Sequence, residues 1–241
     1  MPDVIRVDNI ACVRGDVELF CGVSFGVGRG SSLIISGPSG SGKSSLLEIC
    51  AGLAQPAAGV VRWFGRPTSG LSRAEMLSFR KASGYVFQRH ALISSMTVEQ
   101  NIALPLRYHY GIDNHDVADR CKKQCAAFGI EPVARRRPEE LSHAQSRLAA
   151  LARALILEPD VLFLDEPTAG LDPVTANMVV RKIINYQKAR AASVIMVCHT
   201  IHIIRQMRCP VAVLDGNTLR LTGTEAISEV DVSAYGGAIH E

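Results

Sequence analysis

Nine residues constrain this chain more than any other stretch: Gly37-Pro38-Ser39-Gly40-Ser41-Gly42-Lys43-Ser44-Ser45, set between the apolar run Ser32-Leu33-Ile34-Ile35-Ser36 and the helix-like Leu46-Leu47-Glu48-Ile49-Cys50-Ala51. A glycine-rich loop cradles phosphate when a strand feeds it and a helix N-terminus leaves it, and both flanks are present here. Gly37, Gly40 and Gly42 let the backbone curl so that its N–H groups face a polyphosphate, where a Cβ would obstruct the approach. Lys43 then reaches the β- and γ-phosphates as a point charge, and the Ser44 hydroxyl is placed to ligate Mg²⁺. A flexible Gly/Ser turn that binds nothing would need neither the strand nor the helix. The stretch reads as a nucleoside triphosphate site.

At 241 residues with 47% hydrophobic content, the chain can bury a sizeable core, and one globular unit is expected. The balance of 26 Lys+Arg against 23 Asp+Glu gives no argument for nucleic acid. Its one tight basic cluster, Arg135-Arg136-Arg137, stands beside Pro138 and reads as a solvated turn. No window is long and apolar enough for a membrane-spanning helix, and Met1-Pro2-Asp3-Val4-Ile5-Arg6 lacks the pattern of a secretory signal. The expectation is a cytoplasmic chain. Cys12, Cys21, Cys50, Cys121, Cys125, Cys198 and Cys209 are scattered among apolar neighbours and read as small buried hydrophobes in a reducing compartment. Cys121 and Cys125 lie one helical turn apart, but no second ligand pair follows at zinc spacing.

Along the chain, Val4 to Val13 and Val17 to Val27 alternate apolar and polar residues and predict antiparallel strands leading into the buried strand at Leu33 to Ile35. Gly59 to Gly65 predicts another short strand, Arg73 to Ala82 a short helix, and Tyr85-Val86-Phe87 a strand that Gln88 ends. From Leu92 to about Pro159 helical spacing takes over. Thr97 with Gln100 caps a helix over Val98 to Tyr110, Asp113 to Phe128 forms a second closed by Gly129, and Ser142 caps a third over Gln145 to Leu157. Leu148, Leu151, Ala152 and Leu155 share a face of that third helix. Asp160 to Glu166 is a continuous apolar run ending in carboxylates, as expected of a doubly buried parallel strand whose end meets the ligand. Pro173 to Ala189 is helical, Ser193 to Cys198 is a strand with His199 at its end, and Val211 to Asp215 pairs with Thr218 to Thr222 around Gly216-Asn217.

Adjacent residues in a strand point to opposite faces, so Asp165 and Glu166 can divide their tasks. One carboxylate can hold Mg²⁺ through water while the other accepts a proton from an attacking water. His199 can hydrogen-bond the γ-phosphate or that water, although a lone histidine is more often structural. Gln88 at its strand end can approach Mg²⁺ and report loss of the γ-phosphate to the helices that follow. The helix beginning near Ser142 offers N–H groups and a hydroxyl suited to a phosphate.

Together these pieces resemble the nucleotide-binding subunit of ATP-binding cassette (ABC) transporters over about Ile5 to Thr224. The motifs stand in the family's order: Walker A at Gly37 to Ser45, Q-loop at Gln88, signature at Leu141-Ser142-His143-Ala144-Gln145, Walker B at Val161 to Glu166, D-loop at Ala169-Gly170-Leu171-Asp172 and switch histidine at His199. The resemblance implies an α/β fold, a P-loop NTPase (RecA-like) core with an antiparallel β subdomain and an inserted α-helical subdomain. The ATPase domain would span 1–225, its helical subdomain about 92–159, and a tail 226–241. It implies ATP and Mg²⁺ as ligands, bound by Gly37, Pro38, Ser39, Gly40, Ser41, Gly42, Lys43, Ser44 and Ser45, with Ser142 and Gln145 of the signature. Glu166 would be the general base, Ser44, Gln88 and Asp165 would serve Mg²⁺, and His199 would hold the γ-phosphate. A head-to-tail homodimer would sandwich ATP between one Walker A and the other subunit's signature, on integral membrane permease subunits at the cytoplasmic face of the inner membrane, with no nucleic acid partner.

Two departures from the family pattern stand out. His143-Ala144 replaces the signature's glycine pair, so either the contact across the dimer is weakened or His143 turns away. The aromatic that stacks on adenine in the family falls near Val13 or Arg14, where there is none. Val86-Phe87-Gln88 and the stretch Ala91 to Arg107 are similar to the ATPase of bacterial MCE-type phospholipid transporters, the Mla system. The lipoprotein-releasing and macrolide-exporter group shares Asn101-Ile102-Ala103-Leu104-Pro105-Leu106, and a regulatory module with weak hydrolysis is the third reading.

Overall fold

A computed structural model describes residues 3–89, 91–110, 114–215 and 218–222. In chain order, its first elements are β1 (Asp3–Arg14), β2 (Val17–Gly28), β3 (Ser32–Ser36), α1 (Lys43–Cys50), β4 (Ala58–Trp63), β5 (Arg66–Pro67) and α2 (Arg73–Lys81). There follow β6 (Ser83–Val86), α3 (Val98–Tyr110), α4 (Asn114–Phe128), α5 (His143–Leu155), β7 (Val161–Asp165) and α6 (Pro173–Arg190). The described part closes with β8 (Ser193–Val197), α7 (Ile201–Met207), β9 (Val211–Asp215) and β10 (Thr218–Thr222). The chain divides into two compact units: one runs to Met76 and resumes at Ser193, the other spans Leu77–Ala192.

In the first unit, β1 pairs antiparallel with β2 and with β4, Val7 facing Phe25 on one side and Val61 on the other. Ile5 and Val7 of β1 are buried on one face as the alternation predicts, and register shifts between Asp3 and Ile5 and between Val7 and Ile10 bring Val4 and Ile10 inside as well. The indole N–H of buried Trp63 donates to the carbonyl of Cys50 at 2.7 Å, closing the C-terminal end of α1. The strands behind the phosphate loop are parallel: β3 pairs with β8 and with β9, Ile35 facing Val197 and Ala212. All five residues of β3 and of β8 are buried, which is why residues 33–35 and 194–197 are apolar without alternation. β9 and β10 pair antiparallel as expected; the turn at Gly216-Asn217 and the tail 226–241 lie outside the described residues.

In the second unit, β6 and β7 pair in parallel from Ser83 opposite Val161 to Val86 opposite Leu164. Gly84 lets α5 close on β6, since a Cβ there would lie 2.4 Å from the carbonyl oxygen of Ala154. Helix α3 packs against α4 and α5 through a core that includes Ile102, Leu106 and Leu151. Its start carries the expected capping box: the Thr97 amide donates to Gln100 at 2.9 Å, and the Gln100 amide to the Thr97 hydroxyl at 3.3 Å. Fully buried Asn101 ties the preceding segment to this helix, accepting from the Ile93 amide and donating to the carbonyls of Ile93, Met96 and Thr97.

Two sequence expectations shift. Helix α5 spans His143–Leu155 rather than Gln145 to Leu157, because Gln145 is the third helical residue of a box whose cap is Ser142. Beyond Leu155 the chain turns, and Glu158 takes a positive φ of 54°. Strand β7 ends at Asp165, and Glu166 has φ 46°, so a left-handed bend separates the two carboxylates instead of the strand pleat. Among the cysteines, Cys50, Cys121, Cys125, Cys198 and Cys209 are buried as expected, whereas Cys12 is half-buried and Cys21 exposed. Burial pushes the Cys50 thiol up to about 12, as for an inert core residue. No group of His, Cys, Asp and Glu able to hold a metal occurs among the described residues. None of their helices is long and apolar enough to cross a membrane.

Candidate functional site

On the first unit, the loop that leaves β3 is held open by its glycines. Gly37, Gly40 and Gly42 have φ of 143°, 81° and 91°, all in territory that L side chains rarely enter. The space around them differs. A Cβ on Gly40 would meet nothing within 4 Å, while one on Gly37 would lie 2.1 Å from the carbonyl oxygen of Leu214. Gly37 is therefore required by packing against β9, and only Gly40 keeps its open face for a ligand.

Helix α1 begins behind Gly42 with no side-chain cap and no acidic residue in its first turn, so its orphan N–H groups and positive dipole end face the loop. Buried Lys43 donates to the carbonyl of Pro38 across the loop. The Ser41 hydroxyl is buried without a hydrogen-bond partner. Curled backbone, uncapped helix end, spanning ammonium and unpartnered hydroxyl all favour an anion, and these residues fit a magnesium polyphosphate. His199 lies two residues beyond β8. Because the Cys198 amide donates to Ile35 at 3.1 Å, His199 leaves the same sheet end as Gly37.

On the second unit, the parallel register of β6 and β7 brings Gln88 and the Asp165–Glu166 pair to one edge. Asp165 is buried at the last position of β7. Glu166 sits in a turn closed by the Ala169 amide donating to its carbonyl at 3.1 Å. A glutamate in the left-handed region stores strain of order 1–3 kcal/mol, the kind that packed surroundings hold at a working site. Ser142 and Gln145 cap α5 reciprocally, the Ser142 amide donating to Gln145 at 2.9 Å and the Gln145 amide to the Ser142 hydroxyl at 3.2 Å. Gln145 thus shapes the helix end, and the Ser142 hydroxyl keeps its proton available to a further acceptor.

Two residues outside the predicted set join this edge. Arg147, 1% exposed, donates to the carbonyls of Phe87 at 3.4 Å and Ala169 at 3.3 Å. A Cβ on Gly170 would lie 2.7 Å from the His143 ring, so the side chain that replaces a signature glycine rests on the Ala169–Asp172 loop of its own chain. Arg147 falls in the row Arg147, Leu151, Leu155 on the apolar side of α5, and a charge within an apolar stripe is the sequence signal for it.

A phosphate-cradling glycine loop on a buried parallel strand, with an acid pair ending another such strand, defines a P-loop nucleoside triphosphatase. Residues 20–169 match the ABC transporter family. The chain is 33% identical over 199 residues to the intermembrane phospholipid transport system ATP-binding protein MlaF of Escherichia coli K12, covering 83% of this chain and 74% of that protein. It is 32% identical over 229 residues to the methionine import ATP-binding protein MetN of Bordetella avium, covering 93% of this chain and 63% of that one. The dimeric bacterial ABC transporter cassette MJ0796 superposes with a TM-score of 0.85 at 27% identity, over 91% of this chain and 98% of that one. The same cassette in a dimeric post-hydrolysis state with ADP and Pi gives 0.82 at 27% identity, over 90% and 97%. The chain belongs to the ABC transporter family and has its fold. It is an ATP-binding and ATP-hydrolysing subunit of a transporter, working with ATP and Mg²⁺.

Proposed function

We propose that this ATPase powers phospholipid movement by a membrane permease, acting as a homodimer docked on the cytoplasmic face of the inner membrane. The observation that carries the reading is the likeness to the phospholipid transport ATP-binding protein, which extends through the segment after Gln88. In the second unit that segment borders a cavity of about 440 Å³, lined among others by Tyr85, Phe87, Ile93, Leu104, Pro105 and Tyr108. Its floor is largely aromatic and aliphatic, and Arg80 and Arg153 stand among its lining residues. That chemistry suits a short amphipathic helix of the permease with an acidic end. The likeness to the methionine import protein supports a second reading, an importer of methionine.

In this function Gly37 to Ser45 bind the triphosphate, with Lys43 on the β- and γ-phosphates and Ser41 donating its hydroxyl to a phosphate oxygen. Ser44, Asp165 and Gln88 would hold Mg²⁺, which when bound neutralises charge on the phosphates. Glu166 takes the proton of the attacking water, and His199 steadies the γ-phosphate. Ser142, with the N–H groups of the first turn of α5, serves the partner protomer's nucleotide. ATP closes the dimer, and hydrolysis with phosphate release reopens it.

The test is reconstitution of the chain with its co-purified membrane subunits in liposomes carrying a fluorescent phospholipid. ATP-dependent lipid movement, absent in Glu166→Gln, is the expected result. Movement of methionine and not of lipid would overturn the cargo while leaving the ATPase in place.

A further inference from the structure

Helix α5 carries a guanidinium that none of these roles uses. Arg147 is 1% exposed, its two hydrogen bonds are long, at 3.4 and 3.3 Å, and its Nε is buried without a partner. A cation held this way is costly, and a leucine would fill the same row beside Leu151 and Leu155 more cheaply. Its two acceptors identify its task. Phe87 immediately precedes Gln88. Ala169 accepts from Arg147 through its carbonyl and donates to the Glu166 carbonyl through its amide, closing the turn in which Glu166 holds φ 46°. One helical turn nearer the N-terminus of α5, His143 rests on Gly170 of the same loop. Burial pulls the Arg147 pKa down while the carboxylates of Glu166 and Asp165 pull it up, so the cation lies within the field of both acids.

We propose that Arg147 is a positioning residue for hydrolysis, tying the Gln88 strand end and the Glu166 turn to the helix that starts at Ser142, so that the carboxylate is aimed only while that helix is seated. This rests on the reading of Glu166 as the general base. Arg147 contacts the catalytic side chains only through backbone, and its loss acts on turnover rather than on nucleotide binding.

Phosphate release by the purified full-length chain with Mg-ATP, measured well below each variant's unfolding midpoint, tests this. Arg147→Met should lower kcat by roughly 10- to 100-fold, the scale of a misplaced reacting group, with KM for ATP held within about twofold. Arg147→Lys keeps the charge but can reach only one carbonyl, and should fall between the two. An unchanged kcat in Arg147→Met, a loss carried by KM, or a lysine variant no better than methionine overturns the proposal. Should the methionine variant not fold, the lysine variant decides alone, wild-type kcat being the overturning result. Glu166→Gln at wild-type turnover would sink the general-base reading and the proposal with it. An inactive Glu166→Gln beside an unaffected Arg147→Met sinks only the proposal.

Discussion

Replacing Asn101 by leucine, a side chain of similar size, should loosen the segment between Gln88 and α3 by an amount that its hydrogen bonds allow one to work out. Asn101 is fully buried and makes four bonds: it accepts from the Ile93 amide at 2.7 Å and donates to Ile93, Met96 and Thr97 carbonyls at 3.1, 3.2 and 3.0 Å. Two of those carbonyls keep other donors, Ile93 from the Met96 amide at 3.1 Å and Thr97 from the Asn101 amide at 2.9 Å. The group stranded is the Ile93 N–H. A stranded donor costs about 1–3 kcal/mol, and the forfeited neutral bonds add about 0.5–1.5 kcal/mol each where no donor replaces them. The sum is about 3 kcal/mol, which for a chain of this size is a fall in Tm of about 6–12 °C. Urea unfolding gives the total, and amide exchange at Ile93 reports the local part. Ala91 and Ile93 line the cavity assigned to the permease, so stimulation by the membrane subunits should drop while basal ATPase holds. A destabilisation under about 1 kcal/mol with slow exchange retained at Ile93 would refute the reasoning.

The phosphate loop offers a paired test. Gly37→Ala drives a Cβ into the Leu214 carbonyl and should unfold the chain at lower temperature, whereas Gly40→Ala enters open space and should cost only the strain of its φ, about 1–3 kcal/mol, with a larger loss of ATP affinity than of stability. Calorimetry with Mg-ATP and thermal unfolding separate the two. The Asp172 carboxylate caps α6, accepting from the Val174 and Thr175 amides at 3.0 Å each, and hydrogen bonding from Thr175, first from its side chain, holds its pKa below the ordinary value. A depressed carboxylate pKa stabilises above the unfolded value and loses that contribution as pH falls through the folded one. Acid unfolding curves should therefore be flatter in Asp172→Asn, which still caps but cannot titrate, and identical curves would contradict this.

Much of the fold was legible because local chemistry and tertiary role agree. Residues 33–35, 161–164 and 194–197 are apolar without alternation because both faces are covered, and Thr97 with Gln100 announces α3 by a box that needs no long-range partner. What stayed hidden depends on distant residues. Gly37 looks like a ligand-facing glycine, yet its constraint comes from Leu214, across the sheet. Arg147 stands out as a charge in an apolar row of α5, but the acceptors that explain it are carbonyls 60 and 22 residues away. Glu166 looks like the last strand residue, and its left-handed φ comes from the turn closed by Ala169.

The signature's departure from the family pattern takes its meaning from Gly170. Placing a histidine where the family has glycine left two outcomes open: a ring that crowds the partner's nucleotide, or one that turns away. In the structure the ring comes within 2.7 Å of where a Cβ of residue 170 would stand, so His143 and a glycine at 170 are a matched pair. Gly170→Ala must then displace the histidine as well as strain a φ of 72°, while in the double variant with His143→Gly only the strain remains. The two changes should couple, the double variant being more active and more stable than Gly170→Ala alone by about 0.5–3 kcal/mol, the range seen for residues in contact. Additive effects on ATPase and on Tm would mean that the ring moves aside without cost. In that case the histidine belongs to the dimer seam rather than to its own chain's loop.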